Sequence, residues 1–198
     1  MRIESVLSRR LEGSSVFRRA SRGSSLRPTT SKVRSAMFSM LGPSGANELR
    51  VLDIYAGTGA LGIEALKRGA KSAVFIEQNS RRCDDIKKSL ERQRLTNKAR
   101  VQKGNALRSV GKLDEKFDLI FADPPYELNE FEALFTRADN AKLIADGATA
   151  FLEHSKKTRL PRCLPGFTLS THRLYGDSAL SVYIARISNI EAGSGTDA

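Results

Sequence analysis

Residues 117–126 leave the chain little freedom. The largely apolar run Phe117-Asp118-Leu119-Ile120-Phe121-Ala122 is cut off by Asp123-Pro124-Pro125-Tyr126. An apolar run of that length reads as a buried strand. Two prolines withdraw two N–H donors, fix two φ angles and bias the preceding residue towards extended geometry. The strand must therefore stop there, with its last carboxylate and carbonyls turned outward. In an open α/β sheet that carboxyl edge is where ligands bind. The carboxylate of Asp123 and the carbonyl of Pro124 can each accept one N–H of an exocyclic amine, and Tyr126 can stack on a flat base. The competing reading is a proline turn with an incidental tyrosine, so the rest of the chain must supply the context.

Four further strands and a closing hairpin supply it. Val51–Ala56 reads as a buried strand followed by the turn Gly57-Thr58-Gly59-Ala60-Leu61-Gly62 and a helix from Ile63 to Arg68. Glycines let such a turn approach a ligand closely, and the helix N-terminus offers N–H groups that lack partners within the helix. Ser72–Glu77 is the next strand. Its terminal Glu77 stands 20 residues after Gly57, where a carboxylate can hold both hydroxyls of an adenosine ribose. Asn79 or Ser80 caps a helix expected to run to about Leu95, with Asp84 and Asp85 in its first turn. A short strand, Arg100–Lys103, leads to Gly104-Asn105-Ala106, where Asn105 can meet an adenine edge. A helix with Phe131, Leu134, Phe135 and Ala138 on one face follows, then a strand at Ala148–Glu153. Phe167–Tyr175 and Ala179–Ile187 pair about the Gly176-Asp177 turn. The glycine pattern by itself fits NAD as well as S-adenosylmethionine.

Ahead of these elements, Val33, Ala36, Met37, Met40 and Leu41 give a helix over Ser31–Leu41, capped by Thr30 or Ser31. Its apolar stripe reads as core, while Arg27 and Arg34 can reach a phosphate. The 198-residue chain has a net charge of +11 that is concentrated in two places. Residues 1–34 hold nine Lys/Arg against Glu4 and Glu12, and residues 81–103 hold nine against Asp84, Asp85 and Glu91. That distribution favours a polyanionic partner. Residues 1–26 read as a basic arm, an organellar transit peptide being the alternative. Residues 189–198 read as a disordered tail. Cys83 and Cys163 are too far apart for a metal or disulfide pattern and fit a reducing, cytoplasmic setting. With His154 and His172 the only histidines, no zinc cluster is expected. No apolar run approaches a membrane span, and nothing points to an obligate oligomer, so a monomer is expected.

The segments RPTTSKVRSAMFSML, VLDIYAGTGALGIEALKRGA, VFIEQ, GNA, DLIFADPPYE, FLEHS and RLYGDSALSVY, covering most of residues 27–186, resemble the class I S-adenosylmethionine-dependent methyltransferases. More narrowly, the chain resembles the RsmD family of bacterial 16S ribosomal RNA guanine-(2-amino) methyltransferases. The resemblance implies one α/β domain over 27–188: a Rossmann-like, mostly parallel seven-stranded sheet with a C-terminal antiparallel hairpin and helices on both faces. It implies S-adenosylmethionine as cofactor and ribosomal RNA as partner, within a partly assembled small ribosomal subunit. Asp53 and the backbone at Gly57 and Gly59 would surround the methionine part of the cofactor. Glu77 would hold its ribose and Asn105 would lie near its adenine, with Tyr55, Gly62, Ala106 and Asp123 completing that set. Asp123, Pro124, Pro125 and Tyr126 would hold the target base, and Arg27, Thr29, Arg34 and Tyr175 would contact RNA. Three rivals remain: a DNA adenine methyltransferase, an NAD-dependent oxidoreductase and a non-catalytic RNA-binding module.

Overall fold

The computed structural model describes residues 31–124 and 130–187. The arm 1–26, the tail 189–198, and Arg27, Thr29, Pro125 and Tyr126 lie outside the described residues. In chain order the elements are α1 (Ser31–Met40), β1 (Arg50–Ile54), α2 (Ala60–Lys67), β2 (Ser72–Glu77), α3 (Ser80–Arg92), β3 (Ala99–Lys103) and α4 (Ala106–Val110). They continue with β4 (Phe117–Ala122), α5 (Phe131–Asn140), β5 (Ile144–Ser155), β6 (Cys163–Leu164), β7 (Phe167–Tyr175) and β8 (Ser178–Ala185). One sheet holds every strand in the order β3-β2-β1-β4-β5-β8-β7-β6. The first five are parallel, and β8, β7 and β6 are antiparallel additions.

The parallel strands read as unbroken apolar runs because both faces are covered. Leu52, Ile54, Val74, Ile76, Ile120 and Ala122 point into one core with Ala106 and Val110 of α4 and Phe131, Leu134, Phe135 and Ala138 of α5. The alternating residues Val51, Ala73, Phe75, Leu119 and Phe121 point into the other, with Val33, Met37 and Phe38 of α1 and residues of α2 and α3. Period-2 alternation thus sorts each strand between two helical layers. At the amino edge Arg50 ties β1 to β4. Its backbone N–H and Nε each donate to Asp118 Oδ2 at 2.9 Å, and a terminal guanidinium nitrogen donates to Oδ1 at 2.9 Å. The Arg50 guanidinium holds the Asp118 carboxyl below its ordinary pKa.

Several details differ from expectation. The sheet has an eighth strand, β6, whose two residues are too few to show periodicity and which exists only by pairing with Phe167 and Thr168. The buried face of α1 is Val33, Met37 and Phe38, because Phe38 meets Phe121 of β4 in a tilted contact with ring centroids 5.8 Å apart, while Ala36 stays half-buried. α3 stops at Arg92, and Asp84 and Asp85 fall in its second turn; Asn79 Oδ1 accepts from Arg82 N at 3.2 Å and so starts the helix at Ser80. β5 begins at Ile144 rather than Ala148, with a register shift opposite β4 that lets Gly147, at φ 70°, interrupt the pattern without ending the strand. Among the described residues no helix is long and apolar enough to cross a membrane.

Candidate active site at the carboxyl edge of the sheet

The parallel strands deliver acidic side chains to one edge of the sheet. β1 carries Asp53 and β2 ends at Glu77; Asp123 follows the last residue of β4. After β1 the backbone is held by Ala56 N donating to Ile76 O at 3.0 Å and Gly59 N donating to Ala56 O at 2.7 Å. Tyr55, Gly57 and Gly59 have φ of 61°, 56° and 72°, so the turn runs through left-handed conformations in quick succession. Glycine enters that region without penalty, whereas Tyr55 does so at a steric cost. What holds Tyr55 is its hydroxyl, which donates to Glu130 Oε2 at 2.8 Å. Burial, followed by that bond, raises the phenol well above its ordinary pKa.

Gly62 is required for a different reason: a Cβ there would lie 2.4 Å from the Phe75 ring. This closeness brings the first turn of α2 onto β1, where Gly62 N donates to Asp53 Oδ2 at 2.9 Å. Asp53 is only 3% exposed. Burial pushes its carboxyl from 3.8 up to about 7, against the help of the Gly62 N–H, and the charges of Asp123 and Glu77 add to the rise. Those two couplings show that all three carboxylates share one field.

Glu77 is braced by backbone. Its Oε2 accepts from Gly57 N at 2.9 Å, its Oε1 from Asn79 N at 2.7 Å, and Arg82 stands 3.8 Å from Oε1. Each carboxylate oxygen has a second lone pair, so acceptor capacity remains for hydroxyl groups. One strand further, Gly104 N donates to Glu77 O at 3.0 Å. Asn105 is then the cap of α4, accepting from Arg108 N at 3.2 Å, and Ala106 is buried as the first residue of that helix. The sequence reading missed α4, although an asparagine ahead of a short apolar segment was its available signal. The cap engages the Asn105 carbonyl oxygen and leaves the amide N–H groups as donors.

Asp123 is half-buried and Pro124 buried. Arg34 of α1 lines a cavity of about 200 Å³ with Ser31, Ser35, Phe38, Glu64 and Arg68. Tyr175, which closes β7, packs against the same core as Val33, Met37 and Phe38 of α1. Two carboxylates, Glu130 and Glu153, escaped the sequence reading. Glu130 gave no local sign of its bond to Tyr55, 75 residues away. Glu153 and His154, near the end of β5, are 4% and 3% exposed. His154 Nδ1 lies 3.0 Å from Ser155 O and must donate to that carbonyl. Its Nε2, 2.9 Å from Ser181 Oγ, therefore accepts, and Ser181 Oγ accepts from His172 Nδ1 at 3.1 Å. Both histidines are thus structurally satisfied, and no cluster among the described residues is suited to a metal ion.

A family model described as "conserved hypothetical protein 95" matches residues 17–184. The Bacillus subtilis protein YlbH, provisionally named an rRNA methyltransferase, is 33% identical over 167 residues, spanning 83% of this chain and 90% of the relative. The Escherichia coli protein named ribosomal RNA small subunit methyltransferase D is 31% identical over 158 residues, 80% of this chain and 79% of the relative. A solved Streptococcus pyogenes structure, titled a conserved hypothetical protein, superposes with a TM-score of 0.73 at 32% identity, covering 78% of this chain and 96% of that one.

Proposed function

The chain belongs to the family of conserved hypothetical protein 95, the RsmD-family methyltransferases, and from that premise we propose that it moves a methyl group from S-adenosylmethionine to the 2-amino group of a guanine in 16S ribosomal RNA. One observation carries this reading: Asp53, Glu77 and Asp123 lie at one sheet edge, close enough that the charges of Glu77 and Asp123 raise the Asp53 pKa. Such a field suits a cofactor with a positive sulfonium and ammonium.

The residues present fit that cofactor. Gly57 and Gly59 occupy left-handed backbone positions, and a Cβ built at Gly57 meets nothing closer than 3.8 Å, leaving space beside the turn. Glu77 has lone pairs left for ribose hydroxyls, and Asn105 retains amide donors for an adenine edge. When bound, the cofactor supplies a methyl group already activated on sulfur.

The chain's part is then to position the acceptor and exclude water. Asp123 and the Pro124 carbonyl accept the two N–H bonds of the amine, which favours a pyramidal nitrogen with its lone pair freed from the ring. The same bonds strengthen as positive charge develops on nitrogen, so they stabilise the transition state more than the ground state. The acidic nitrogen formed by transfer gives its proton to Asp123 or water, which leaves no task for a histidine base. Tyr126, from the same tetrapeptide, is the proposed stacking partner of the base. Because an amine inside a paired helix is out of reach, the target guanine must be unpaired or flipped.

The test is methyl transfer from labelled S-adenosylmethionine to small ribosomal subunits lacking their own modification, with naked ribosomal RNA and duplex DNA in parallel. Nucleosides are identified by mass spectrometry. The expected product is 2-methylguanosine, and Asp123→Ala abolishes transfer while cofactor affinity stays within a few-fold. Label in DNA adenine, or full activity of Asp123→Ala, overturns the reading.

A further inference from the structure

The ligand-facing edge continues one strand beyond Asp123. β4 and β5 run parallel with Phe121 opposite Phe151, and both rings belong to the core beneath α1, α2 and α3. The register ends at Ala122 opposite Leu152, and carried one residue further it sets Asp123, the first residue after β4, beside Glu153 of β5 on that same face. The coupling of Asp123 to Asp53 agrees, since Asp53 pairs with Phe121 in register. On its other side Glu153 is opposite Leu180 of β8, and Tyr175 packs against the same core. In strand order the carboxylates therefore run Glu77, Asp53, Asp123, Glu153 along the edge. The first two belong to the cofactor side; Glu153 lies beyond Asp123, away from it.

We propose that Glu153 selects guanine over adenine by accepting the N1–H of the base whose amine is held at Asp123 and Pro124; this rests on the function proposed above. A base that presents its amine at Asp123 while the cofactor occupies the β2–β1 side extends its ring towards β5. N1 flanks the amine-bearing carbon in both purines, the other flank being N3 in guanine and C5 in adenine, and it is the N1 flank that is set towards β5. In guanine N1 carries a hydrogen; in adenine it carries a lone pair. As a carboxylate Glu153 only accepts, so it bonds guanine and repels adenine at that atom; burial opposes that ionised form, and the N1–H donated by guanine is what favours it. Glu153 is 4% exposed, and shielding from water sharpens the difference, because an unmatched polar pair has no solvent to turn to.

The experiment follows from mapping the modified guanine. RNA is prepared with guanine, 2-aminopurine or N1-methylguanine at that position, and kcat/KM is measured for the wild type and Glu153→Gln. 2-Aminopurine keeps the 2-amino group but has an acceptor at N1. The wild type is expected to prefer guanine over it by about tenfold or more and to reject N1-methylguanine. The carboxamide of the variant can donate to N1, so the guanine to 2-aminopurine ratio should fall by about tenfold or invert. A merely structural glutamate predicts equal loss on both substrates; an unchanged ratio overturns the proposal and leaves the family function standing. Wild-type transfer to N1-methylguanine as fast as to guanine overturns it without recourse to a variant. Absence of wild-type transfer to any guanine defeats the function and this inference together.

Discussion

Asp53→Asn isolates the electrostatic cost of the site. The folded protein holds the Asp53 proton up to about pH 7, whereas the unfolded chain releases it near 3.8. Between those values the native state binds more protons, so stability falls as pH rises through the window. Working the linkage from the two pKa values, ionisation of Asp53 costs about 2–3 kcal/mol more at pH 8 than at pH 5. Asparagine keeps an oxygen for Gly62 N and never ionises. Urea unfolding at both pH values should therefore show the variant gaining about 2–3 kcal/mol on the wild type as pH increases. Saturating S-adenosylmethionine should shrink that gain, since its positive charge favours ionised Asp53. A difference between the proteins that is the same at pH 5 and pH 8 would refute both the raised pKa and the shared field inferred from it.

Gly62→Ala places a methyl group 2.4 Å from the Phe75 ring. It should cost about 1–3 kcal/mol of stability by forcing α2 away from the sheet, seen as a lowered Tm and, through the lengthened bond to Asp53, weaker cofactor binding. Glu77→Ala removes the acceptor of Gly57 N and Asn79 N along with the proposed ribose contact. Calorimetry should record an S-adenosylmethionine Kd raised about tenfold or more; an unchanged Kd would count against the ribose role.

Much of the site was legible because its signals are local. Two prolines end β4 whatever lies elsewhere in the fold, and Gly57 and Gly59 mark a turn that other residues would enter at a cost. Glu77 falls at a strand end by counting along an apolar run. The Gly176-Asp177 hairpin was readable for the same reason, with Gly176 found at φ 63°. Asn105 illustrates the limit of local reading: its position at the sheet edge was foreseen, but not its commitment to capping α4. Phe38 was missed because the partner that buries it, Phe121, lies far along the chain.

What the amino-acid sequence determined by itself is the succession of strands and helices, the places where each strand stops, and which residues stand at those stops, since propensity, periodicity and the chemistry of glycine and proline act over a few residues. Tertiary structure alone decided which strands became neighbours. That order sets Asp53 between Glu77 and Asp123, lines Glu153 up beyond Asp123, locks Arg50 to Asp118 and lets Glu130 hold Tyr55. These pairings depend on burying two apolar faces of one sheet at once, a demand satisfied by the whole chain and by none of its segments alone.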